Sequence, residues 1–192
     1  MKKSAILGLI ILTALSSKAQ QIVPVEKTIE YMNSGNGIPE NVTYLKDVNN
    51  VLNKYVGVWK GTYDNKKYEF RITKATEKLG RVTEDKLLMR YIITDANGTV
   101  IENTMALLND NYLVIHGYYI EDNVYYLNYV GKNGRCGQEG TIHIDIVENS
   151  NNTKMRLGLQ PEFVVLSTKE CPNGAAAQIM PVGRLVTLTK QK

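Results

Sequence analysis

From position 58 onward the chain breaks into short apolar-rich runs separated by polar turns, and this regular punctuation limits the folds open to it more than any other feature. The runs fall at 58–63, 67–73, 87–94, 99–107, 112–119, 124–130, 141–147, 154–160, 162–166 and 182–188. Between them stand Asp64-Asn65, Asp95-Ala96-Asn97-Gly98, Asn109-Asp110-Asn111, Glu121-Asp122-Asn123 and Lys132-Asn133-Gly134, sequences rich in the residues that turns demand. Asn97-Gly98 is the strongest hairpin signal among them. Short strands at such spacing specify an all-β sandwich or barrel, and the succession of tight hairpins favours a single antiparallel up-and-down barrel of about 8–10 strands.

Alternation assigns the faces. Tyr68, Phe70 and Ile72 point one way and Lys67, Glu69, Arg71 and Thr73 the other, as in a sheet with one dry face. Leu87, Met89, Tyr91 and Ile93 repeat the pattern, and Ile142, Ile144 and Ile146 oppose Thr141, His143 and Asp145. The middle runs differ. Between 112 and 130 the chain is apolar on both faces and holds Tyr112, Tyr118, Tyr119, Tyr125, Tyr126 and Tyr129, half of its 12 tyrosines.

The residues before the barrel divide into two parts. Met1-Lys2-Lys3, an apolar stretch from Ala5 to Leu15 and Ser17-Lys18-Ala19 have the layout of an export signal cleaved after Ala19, so residues 1–19 are expected to be removed. The apolar stretch is shorter than the ~20 residues that spanning a bilayer requires, so no membrane span is expected. Residues 20–56 read as an extended arm followed by a short helix over 44–56. There Leu45, Val48, Leu52 and Tyr55 recur at helical spacing, Asp47 can cap, and Gly57 can end the helix. The barrel domain is then 57–192.

Charge excludes one class of partner. The formal net charge of +4 comes from 23 basic and 19 acidic residues, and three of the lysines lie in the signal. The remaining chain is nearly neutral, which argues against a nucleic-acid surface. Cys136 and Cys171 are the only two cysteines, and in an exported chain they read as one structural disulfide. A metal site lacks a CxxC or paired-histidine spacing, and no cofactor motif is present. One tension concerns the strands: a strict meander of ten strands puts the two cysteines at opposite barrel ends. A single bent strand over 154–166, kinked at Pro161, brings them together but leaves an odd number of strands.

At Gly57-Val58-Trp59, which follows the short helix and precedes the strand series, the chain resembles the lipocalins and the wider calycin group of small ligand-binding barrels. The resemblance implies that Gly57 and Trp59 close one barrel end, with a basic residue of the last strand packed over the indole. Arg184 is the matching candidate. More narrowly, the stretch from Val48 to Gly61 is similar to an uncharacterised family of secreted bacterial proteins, which brings no activity with it.

Tyr91, Tyr112, Tyr118 and Tyr126 are the candidate ligand-binding residues, since rings with a polar tip suit a barrel mouth. Tyrosine enrichment also follows from strand propensity alone. His143 and Asp145 share a face, but no nucleophile accompanies them, and the chain reads as non-enzymatic. Two functions stay open: a barrel carrying a small apolar or amphipathic molecule inside, or a module with a filled core that contacts an extracellular protein or glycan.

Overall fold

The computed structural model describes residues 21–192; the export-signal reading of 1–19 lies outside the described residues. The elements in order are β1 (Gln21–Pro24), α1 (Thr28–Asn33), β2 (Val42–Lys46), β3 (Gly57–Tyr63), β4 (Lys66–Leu79) and β5 (Val82–Thr94). They continue with β6 (Val100–Asn103), β7 (Ile115–Glu121), β8 (Val124–Val130), β9 (Glu139–Ile146), β10 (Lys154–Pro161) and β11 (Val186–Lys190). Eight of the strands close into an antiparallel barrel in the order β5, β4, β3, β11, β10, β9, β8, β7, sealed where Leu88 and Met89 of β5 meet His116 and Ile115 of β7. β1 and β2 pair in parallel, and β2 extends the sheet along the start of β5. No helix of the described residues is long and apolar enough to cross a membrane.

The inward residues form one continuous core. Trp59, Phe70, Met89, Tyr91, Ile93, Leu127, Ile142, Ile144, Met155, Leu157 and Leu188 are all fully withdrawn from solvent. Rings meet through the interior, with Tyr68 stacked on Phe70 at 5.9 Å and Tyr91 edge-on to Tyr129 at 6.5 Å. Buried aromatic side chains of this size fill the lumen that a barrel of eight strands encloses.

Both ends are plugged by chain. At one end Leu52 and Tyr55 enter from the segment before β3; the Tyr55 hydroxyl donates to the Asn123 carbonyl at 2.6 Å, and Trp59 Nε1 donates to the Tyr55 carbonyl at 2.7 Å. At the other end the segment between β10 and β11 crosses the opening, bringing Met180 into the core while Tyr63 and Tyr68 donate to the carbonyls of Val182 and Ile179. The Cys136–Cys171 disulfide pins that segment to the β8–β9 loop, with Cα atoms 5.6 Å apart. A bridge across 35 positions restricts the unfolded chain, and replacing both cysteines with serine should lower stability by about 3.8 kcal/mol. Denaturant melts would report it, with a steeper slope because the unbridged unfolded chain exposes more surface.

Several expectations need correction. The segment 44–56 is not a helix: β2 takes its first part, and only Asn53–Tyr55 forms a 3-10 turn. Asn50 adopts a left-handed φ of 56°, which interrupts any helix. Asp47 does cap, accepting from the Val51 amide at 2.7 Å and the Leu52 amide at 3.4 Å, but it organises a turn. Leu52 and Tyr55, three apart, enter the core from such a turn as well as from a helix. The α-helix lies instead in the arm, as α1, and ends where Gly35 takes a φ of 71°.

Arg184 is not the residue over the indole. It lies exposed ahead of β11, and Lys190, register partner of Trp59, holds its Nζ 5.1 Å from the ring centre. Gly57, at φ 140°, leaves room for that lysine, because a Cβ there would stand 2.6 Å from Lys190 Cε. Nor does one bent strand run over 154–166: β10 stops at Pro161, and Phe163 and Val165 beyond it are exposed. The cysteines share an end because β9 and β10 are antiparallel neighbours, and the count is even because β6 pairs with β5 outside the closed ring.

Candidate functional site

A concavity with mostly apolar walls lies outside the barrel. β4 and β5 run on past the barrel wall as a long hairpin, turning at Gly80-Arg81. The arm docks on this extension. Val23, Val42, Leu45 and Val82 form a second apolar cluster, with Tyr31 and Ile38 against it. Arg81 at the hairpin tip donates to the carbonyls of Pro39, Glu40, Val42 and Ile38, tying the arm down.

Asp85 secures the other side of the arm. Its carboxylate accepts from the Tyr44 hydroxyl at 2.8 Å, the Thr76 hydroxyl at 2.6 Å and the Asp47 amide at 3.0 Å. Burial alone would raise its pKa; the hydrogen bonds from Thr76, Asp47 and Tyr44 outweigh it and hold the group below the ordinary aspartate value. The sign follows from the depressed folded value. Asp85 contributes its full stabilisation above the unfolded pKa of ~3.9, and loses it as pH falls through the lower folded value. Acidification through that window should therefore release the arm, with amide exchange accelerating at 42–47 before it does in β8 and β9.

Between arm and hairpin opens a groove of about 550 Å³. Met32 of α1, Ile38, Leu79 and Val82 give it apolar walls, and Glu77, Glu84, Lys86 and His116 form its floor. The floor groups are linked in a chain: Lys86 Nζ lies 3.1 Å from Glu84 Oε2 and 3.8 Å from Glu77 Oε2, and His116 Nδ1 lies 3.5 Å from Glu77 Oε2. Glu84 and Lys86 are buried. Desolvation pushes the Glu84 pKa up, Lys86 pulls it back, and the Glu77 and Asp85 charges raise it further. A largely apolar cleft of this size with a few convergent polar groups has the form of a small-molecule site.

The sequence-derived candidates do not converge on one place. Tyr91 lies inside the barrel, donating to Glu102 at 2.6 Å. Tyr112 sits exposed in the loop before β7, because the Asn109–Asn111 turn continues to Leu113. Tyr126 faces outward and stacks on Tyr119 at 4.6 Å. Only Tyr118 reaches the groove, at its rim. His143 and Asp145 do share the outer face, but the Asp145 carboxylate is engaged by Arg156, with Nε at 2.9 and 3.2 Å. Sequence reasoning missed Glu77, Glu84 and Lys86. Their signal was the alternation of Val82, Glu84, Lys86 and Leu88, which extends β5 backwards through a charged stretch.

The fold and the site together define a closed eight-stranded β-barrel with a filled interior and an external groove beneath its N-terminal arm. The chain belongs to a family of unknown function, DUF6705, whose model matches residues 1–173. No curated protein and no solved structure matches it.

Proposed function

We propose that this is an exported binding protein, without enzymatic activity, that carries a small amphipathic molecule in the groove outside its barrel. One contrast supports the reading above all: the lumen is occupied by side chains and plugged at both ends, whereas the outer groove offers about 550 Å³ with apolar walls and a polar floor. The disulfide fits an oxidising compartment. Kinship with the lipocalin and calycin barrels is part of the proposal, supported by the closed ring of eight strands and by a cation over the indole of Gly57-x-Trp59.

The test is native mass spectrometry of the chain purified from its own host. A bound mass of a few hundred daltons that denaturation releases is the expected result. Its loss in a Met32→Ser/Leu79→Ser variant would locate it in the groove; a ligand retained by that variant would contradict the assignment.

A second reading has its own observation. Tyr118, Tyr119 and Tyr126 form an outward aromatic row, with Tyr118 edge-on to Tyr119 at 5.2 Å, beside His143 of β9. Such a row suits a protein or glycan contact. Retention on immobilised polysaccharide that Tyr126→Ala abolishes would support it.

A further inference from the structure

The groove floor carries an imbalance of charge. Glu77 of β4 and Glu84 of β5 stand directly opposite each other in the sheet, an arrangement in which like charges repel. Glu84 is also removed from water, where a carboxylate needs a partner of opposite sign. One ammonium serves both acids, since Lys86 lies 3.1 Å from Glu84 and 3.8 Å from Glu77. His116, at 3.5 Å from Glu77, adds positive charge only when protonated.

The other elements lining the groove bring no compensation. α1 contributes Thr28 and Met32, β2 contributes Leu45, β7 adds Gly117 and Tyr118, and β8 adds Asn128. Two carboxylates therefore face one permanent cation in a cleft whose remaining surface is mostly apolar. Local rules broken in this way, with Lys86 the one lysine or arginine among the described residues lining the groove, mark functional positions.

Resting on the reading of the groove as the ligand site, we infer that its ligand is a cationic amphiphile. A protonated amine lies against Glu77 and Glu84, and its apolar chain runs along Met32, Ile38, Leu79 and Val82. The ammonium supplies the missing charge and donates hydrogen bonds to carboxylate oxygens, the stronger charge-assisted kind. An anionic head group would add a third negative charge beside Glu77 and Glu84 and would be rejected.

Isothermal titration of the full chain with decylammonium, decanol and decanoate, each below its aggregation concentration and near neutral pH, tests this. Decylammonium should bind roughly tenfold or more tighter than decanoate, with decanol between them. Glu77→Gln, at the more accessible acid of the pair, should bring the three probes to within about threefold of one another, with thermal unfolding unchanged. Decanoate binding as tightly as decylammonium would overturn the cationic assignment and leave the groove reading standing. Binding of none of the three would overturn both.

Discussion

Trp59→Ala should lower the stability of the barrel by about 3–5 kcal/mol, the range for removing a fully buried large aromatic side chain. Three contributions add at this position. The indole is completely buried among Leu52, Tyr55 and the core strands, so truncation leaves a cavity that the plugged end cannot readily collapse. Its Nε1 donates to the Tyr55 carbonyl at 2.7 Å, and losing that donor leaves a buried acceptor without its partner, at a cost of roughly 1–3 kcal/mol within the total. The Lys190 ammonium, 5.1 Å from the ring centre, loses its aromatic surface. That last contribution is about 0.5–1 kcal/mol at a partly exposed site. Lys190→Ala should therefore be mild and Trp59→Ala severe, and Arg184→Ala should be silent. For a chain of this size the severe variant should melt roughly 6–20 °C lower; calorimetry of the three variants would check the order.

Met32→Ser/Leu79→Ser should produce the largest loss of binding with the least loss of stability. Both side chains stand at the groove wall and are 38% and 54% exposed, so neither is part of the packed core. Covering them with a ligand chain would recover about half of a full side-chain burial each, or roughly 2–3 kcal/mol together. That corresponds to a fall in decylammonium affinity of roughly 30- to 150-fold. Titration would measure it, and an unchanged denaturation midpoint would show that the barrel is intact.

Much of the fold was legible because the barrel obeys a strict period of two. Tyr68, Phe70 and Ile72, and Ile142 and Ile144, fall inward where alternation put them, and the pairing of Cys136 with Cys171 followed from their number. The arm was less so. Leu52 and Tyr55 carry no information on whether a helix or a turn delivers them, and the decisive event is one left-handed asparagine, Asn50. Arg184 and Lys190 both follow the long loop after β10, and only the strand register with Trp59 separates them.

The groove was hidden for a different reason. Its floor is built from Glu77, Glu84 and Lys86, residue types that ordinarily mark solvent or turns, and its walls come from segments far apart in sequence. The tyrosines misled because strand propensity enriches them without reference to a ligand. Tyr91 packs in the core, Tyr126 stacks outside, and Tyr112 belongs to a loop. The part of the candidate site that composition could reach was its rim, at Tyr118.

The central claim is that the barrel is solid and binds on its outside. Methyl-resolved NMR of the chain titrated with decylammonium tests it most directly, because methyl groups report both regions at once. Shifts should concentrate on Met32, Ile38, Leu79 and Val82, while Met89, Ile93, Leu127 and Leu157 inside the barrel stay unmoved. Shifts confined to the interior methyls would contradict the account.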